Sequence, residues 1–224
     1  MTKNKLFEKY RKFGDLREAG KIEEAIEGYE GLMKEAEKEL FAEVPQMLGV
    51  AYRMQKKSEK GLRFAKLAVE WAIKAGDGEM EANARRDLGE IYKDLDKLEM
   101  AESEYDKSLR LMWKEVAGKM SGLAGTLAFK GGLAMVKKDY NQAHELINAA
   151  IAMLYPQVML DSTEAGQYYL FVLHKAEVCK AEGKIEEAKE LARKALRGFK
   201  QLNQKQAVRM ERAERLIISL GIGA

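Results

Sequence analysis

The hexapeptide Gly-Lys-Ile-Glu-Glu-Ala occurs twice, at Gly20–Ala25 and again at Gly183–Ala188, each time between two amphipathic stretches. Three degenerate versions lie between the copies and end at Gly61, Ala101 and Ala143. Taking the final small residue as an anchor gives Ala25, Gly61, Ala101, Ala143 and Ala188, spaced 36, 40, 42 and 45 residues apart. A period of this size constrains the fold more than any other feature, because it makes each copy one supersecondary unit that cannot bury its apolar face alone.

The same register runs outward from each anchor. Twelve residues before it stands a small residue in four copies, Gly49, Gly89, Gly131 and Ala176, with Phe13 in the first. Four residues after it come Tyr29, Ala65, Tyr105, Ile147 and Ala192. Small residues facing large ones at these offsets are what two antiparallel helices need to interlock closely. Only 2 prolines occur in 224 residues, and Ala, Glu, Lys and Leu abound, so the units are helical hairpins. The reading is an all-α chain of five hairpins, at about 4–40, 43–75, 79–116, 120–154 and 162–201. A last helix at about 204–220 has no partner, and its stripe of Met210, Ala213, Ile217 and Leu220 suits a cap on the open end of a stack. The pairs Asp96/Glu99 and Asp161/Glu164 have the spacing of capping boxes. No linker or low-complexity tract divides the chain, so residues 1–224 are expected to form a single domain.

Leu48-Gly49-Val50-Ala51-Tyr52 and Leu88-Gly89-Glu90-Ile91-Tyr92, with the later Ala101, Tyr105 and Ser108, closely resemble the tetratricopeptide repeat. The resemblance extends from Leu6 to about Asn203, strongest over Gly78–Lys114. The spacings exceed the usual ~34 residues and the closing proline is absent, as in the long-helix subclass found in kinesin light chains. The resemblance implies a right-handed superhelical solenoid whose first helices line a concave groove. Carried onto this chain, the groove positions include Arg17, Gln46, Arg53, Asn83, Arg86, Glu90 and Lys93, then Ala128, Phe129, Gly132 and Met135, then Leu173, His174 and Glu177.

Two candidate partner-binding surfaces follow. Arg17, Arg53, Asn83, Arg86 and Lys93 would form a basic row able to hold a carboxylate or acidic peptide through bidentate bonds. The alternative is ordinary surface charge paired with Glu18, Asp87, Glu90 and Asp94. Residues 121–160 hold 5 charged side chains against 18 in residues 81–120, so Phe129, Gly132 and Met135 would line an apolar trough for a partner segment. The alternative there is close packing in mid-stack.

The inventory argues against chemistry. His144 and His174 stand thirty residues apart, and no HExxH, CxxC, phosphate loop or GxSxG occurs. Neither a metal nor a cofactor is expected, and the chain reads as no enzyme. Lys plus Arg at 39 against Asp plus Glu at 36 gives little net charge for a nucleic-acid binder. No apolar run reaches the ~18 residues of a membrane helix. The N-terminal segment shows no secretory pattern, and the lone Cys179 excludes an intramolecular disulfide, so a cytoplasmic protein is expected. The function these features imply is a protein–protein interaction scaffold or adaptor for a peptide or helix of another protein. The alternative is a regulatory receptor for a small peptide signal acting on a separate effector. Self-association through the low-charge face is a further expectation.

Overall fold

Five of the turns in this chain place one residue, always five before the anchor, in the left-handed region: Gly20, Lys56, Asp96, Lys138 and Gly183, with φ from 56° to 89°. After each, the next amide reaches back to a carbonyl five residues earlier, as Lys21 N to Leu16 O at 2.9 Å and Lys184 N to Cys179 O at 2.8 Å. This Schellman arrangement satisfies the last carbonyls of the first helix and reverses the chain. The computed structural model describes residues 3–115, 120–158, 162–202 and 206–221.

Among the described residues there are eleven helices and no strand. Residues 1–118 and 119–224 form two compact units. The first holds α1 (Lys3–Glu18), α2 (Ile22–Lys38), α3 (Glu43–Met54), α4 (Ser58–Ala75), α5 (Gly78–Asp94) and α6 (Leu98–Glu115). The second holds α7 (Met120–Val136), α8 (Tyr140–Val158), α9 (Ser162–Glu182), α10 (Ile185–Gln201) and α11 (Ala207–Ser219). Helices pair as hairpins, α1 with α2 through α9 with α10, and within each unit every hairpin also packs on the next. This is an all-α helical repeat fold, with helix bounds close to those expected from the register. The expected box at Asp96 is corrected: Asp96 takes φ 56° as the turn residue and α6 opens at Leu98. The turn needs a left-handed residue there, and Asp tolerates that conformation better than most. Asp161 lies outside the described residues. A true N-cap is Asp77, whose Oδ1 accepts from Met80 N at 2.9 Å.

The small positions are contact points between backbones. A Cβ on Gly61 would stand 2.7 Å from the Gly49 carbonyl, and one on Gly89 would stand 2.6 Å from the fully buried Tyr105 ring. The first hairpin reverses the roles. Phe13 occupies the small position of its helix, and Gly28 on α2 makes the room, since a Cβ there would fall 2.3 Å from the Phe13 ring. Tyr169 on α9 likewise sits over Gly198 on α10.

In the second unit, Ala124, Ala128, Leu154, Phe171, Ala192 and Phe199 belong to one core with Ala213, Leu216 and Ile217 of α11 and with Leu220, which caps it. α11 packs on α10 and touches α9 as α3 packs on α2 and touches α1, so it takes the place of the first helix of a further hairpin. Cys179 is buried in the same core, and burial, with Glu187 beside it, pushes its thiol up to about 11.

Candidate functional site

The first helices α1, α3 and α5 of the first unit lie side by side, α3 touching both of the others. Their exposed edges are tied by side chains rather than left open. Arg17 on α1 donates through Nη1 to Met47 Sδ on α3 at 2.8 Å and through Nη2 to Glu18. Gln46 on α3, itself buried, donates to Asp87 Oδ2 on α5 at 2.7 Å. Arg86 donates to Asp87 Oδ1 at 3.1 Å and to Asn83 Oδ1 at 3.0 Å. Arg53 on α3 reaches both Glu90 and Asp94 on α5, each at 3.4 Å.

Glu90 is the centre of this lattice. Lys93 Nζ at 2.5 Å and the Tyr105 hydroxyl at 2.6 Å both donate to its Oε1. Burial opposes its ionisation, but Lys93 and Arg53, with the bonds from Lys93 and Tyr105, outweigh burial and hold the carboxyl at about 2. Burial first, and the charge and hydrogen bond of Glu90 next, drive the Tyr105 phenol far up, against the pull of Arg53. For Arg53 and Arg17, burial works against the cation, and Glu90 and Glu18 respectively overcome it, so both stay charged.

Arg17, Arg53, Asn83, Arg86 and Lys93 are thus brought to one face, with the cationic side chains between 17% and 27% exposed. Each of those cations meets a carboxylate: Glu18, Glu90 with Asp94, Asp87, and Glu90 again. The face is a fixed alternation of donors and acceptors, with no net charge over these eight groups.

In the second unit Phe129, Gly132 and Met135 are half-buried on α7. The Phe129 ring lies 5.9 Å from the His174 ring of α9, and Met135 packs against the cluster of Ala134, Ala143, Ile147 and Val178. Ala128 and Leu173, expected at the groove, are fully buried and present nothing to a partner, because the apolar α7 is packed on both α8 and α9. Glu177, the counterpart of Glu90 by register, is held bidentately by Arg212 of α11 at 2.8 and 2.6 Å. The sequence reading missed that pair and the Arg17–Met47, Gln46–Asp87 and Tyr105–Glu90 contacts. The recurrence of Glu one residue after the small position, at Glu90 and Glu177, was the readable signal. Among the described residues no group of three or more His, Cys, Asp or Glu is placed to hold a metal ion. No helix there is long and apolar enough to cross a membrane.

No protein-family model matches this chain, and no curated protein matches it in sequence. Solved structures do resemble it. BtubC (BKLC) from P. vanneervenii superposes with a TM-score of 0.61 at 20% identity, covering 84% of this chain and 77% of the other. Two structures of Podosopora anserina kinesin light chain nearly identical TPR-like repeats give TM-scores of 0.59 and 0.58 at 16% and 15% identity, each covering 87% of this chain and 94% of theirs.

Proposed function

From the premise that this chain has the tetratricopeptide-like helical repeat fold, of the kind seen in kinesin-light-chain-type repeats, we propose that it is a non-enzymatic interaction scaffold. It takes a peptide or helix of a partner protein on the face formed by α1, α3 and α5. The observation that carries this reading is the lattice of Arg17, Gln46, Arg53, Asn83, Arg86, Asp87 and Glu90. Its side chains are fixed by mutual bonds before any partner arrives, so a ligand meets donors and acceptors whose ordering entropy is already spent. Charge compensation favours a polar protein segment of mixed charge. A nucleic acid would have to break each ion pair to gain a cation, which removes the counterion-release advantage that such binding depends on.

The test is partner capture by the full chain and by variants whose folds are checked by circular dichroism. Arg53 and Lys93 hold a buried carboxylate, and reversing them alone would leave Glu90 stranded at a cost of about 3–5 kcal/mol. Arg53→Gln and Lys93→Gln are therefore made together with Glu90→Gln, and Arg86→Gln is made separately. Loss of the partner with these, and retention with Phe129→Asp and Met135→Asp, is the expected pattern. The opposite pattern moves the site to α7 in the second unit.

A further inference from the structure

The first and third hairpins share a register in which one residue has been deleted of its side chain. In the third, Glu90, Lys93, Asp94 and Tyr105 stand together, with Glu90 accepting from both Lys93 and Tyr105. Shifting by the repeat puts Gly14, Arg17, Glu18 and Tyr29 at the same places. The tyrosine, the cation three residues on and the acid four residues on are all kept, and only the central carboxylate is missing.

The structure shows the consequence. Tyr29 is fully buried, and its hydroxyl has no hydrogen-bond partner. A Cβ built on Gly14 would meet a single neighbouring atom within 4 Å, that same hydroxyl, at 3.6 Å. A buried hydroxyl without a partner is uncommon, since it forfeits a hydrogen bond that water would supply. Arg17, meanwhile, spends one of its nitrogens on the thioether of Met47, a weak acceptor.

We propose that the Gly14 notch takes a carboxylate from the partner, which accepts from the Tyr29 hydroxyl and the Arg17 guanidinium as Glu90 accepts from Tyr105 and Lys93. The proposal rests on the α1–α3–α5 face being the partner site, and it names an acidic group as what the partner must place there. Entry requires Arg17 to leave Met47. The exchange is favourable, because a carboxylate accepts a guanidinium N–H far more strongly than sulfur does. Glu18 remains on Arg17, as Asp94 remains on Arg53 when Arg53 serves Glu90.

The experiment uses the full chain with ring-labelled tyrosine and follows the Tyr29 resonance by NMR. The probes are the capped peptide acetyl-Gly-Glu-Gly-amide, its Gln counterpart, and acetyl-triglycine with a free carboxylate. A saturable shift at Tyr29 with a carboxylate probe and none with the Gln peptide is expected. The stronger of the two carboxylate probes tells whether a side chain or a chain terminus is the better fit. Tyr29→Phe removes a hydroxyl that has no partner in the free protein, so it leaves the fold intact; read in that variant at the backbone amides of Gly14 and Arg17, the probe binds about tenfold more weakly, the loss of one bond to a charged group. Gly14→Glu fills the notch from within and abolishes the shift, whereas Gly14→Gln weakens it less. No carboxylate-specific shift at Tyr29, or a shift unchanged in Gly14→Glu, overturns the proposal. Shifts confined to α3 and α5 that survive Gly14→Glu overturn the notch but leave the face as the partner site. Silence across α1, α3 and α5 counts against both.

Discussion

Replacing Gly89 by alanine should loosen the third hairpin although alanine is the better helix former. The added Cβ would stand 2.6 Å from Tyr105 Cε1, 2.9 Å from Cδ1 and 3.1 Å from Cζ. Carbon atoms rest about 3.5–4.0 Å apart, so α5 and α6 must separate by about 1 Å. The ring has no way to yield: Tyr105 is fully buried and its hydroxyl is anchored on Glu90 at 2.6 Å. Overpacking of this kind costs about 1–3 kcal/mol. Disturbing a hydrogen bond to a buried carboxylate adds about 1.5–3 kcal/mol if that bond is lost outright. Helix propensity returns about 1 kcal/mol. The net loss is about 2 kcal/mol. Gly31 on α2 is the matched control, because it is exposed and a Cβ there meets nothing within 4 Å. Gly31→Ala should therefore stabilise by about 1 kcal/mol. The two substitutions are chemically identical and opposite in sign, and they should differ by about 3 kcal/mol in urea denaturation followed by far-UV circular dichroism. In melting temperature that is about 6–12 °C for a chain of this size. A Gly89→Ala chain as stable as the parent, or two shifts of the same sign, would refute the close-approach argument.

Other outcomes follow from the same geometry. Glu90 titrates at about 2 in the fold against a usual 4.5, so its folded pKa is depressed. The stabilisation is then full above pH 4.5 and is lost as pH falls towards 2, amounting to about 3 kcal/mol. Glu90→Gln should flatten that acid limb in denaturation curves taken across pH, and a limb unchanged in the variant would locate the acid sensitivity elsewhere. Lys138 holds φ 63° without being glycine, so Lys138→Gly should stabilise by about 1 kcal/mol, whereas Gly183→Ala, at φ 89°, should destabilise by a similar amount. Cys179 should react with a thiol reagent at least about a hundredfold more slowly in the folded chain than in urea, since burial both covers it and raises its thiol from 9.0 to about 11.

The helical hairpins could be read from the sequence because their causes are short-range. Turn residue, anchor and small position lie within about one hairpin of each other, and each acts through backbone conformation or through contact between adjoining helices. That is why the helix bounds fell close to their expected places, and why the departure at Asp96 was a matter of which of two neighbouring roles one turn residue takes. Phe13 shows where this legibility stopped. It broke the small-residue rule in the register, and only the packing showed that Gly28 on the facing helix had taken over the small role.

The candidate site was half legible. Position in the repeat was enough to place Arg17, Arg53, Asn83, Arg86 and Lys93 on one face. It left open whether their charges were available or paired, because the deciding partners stand far apart in sequence: Gln46 and Asp87 are 41 residues apart and Arg53 and Glu90 are 37. Such pairs form only when two whole helices settle against one another, and no local propensity encodes them. The sequence by itself determined a period, and from the period the helices, their turns and the faces they share. The tertiary structure alone decided which side chains meet across those faces. It joined the row of cations to a row of carboxylates, gave Glu177 to Arg212 of the last helix, and left the Tyr29 hydroxyl facing a glycine where its counterpart faces an acid.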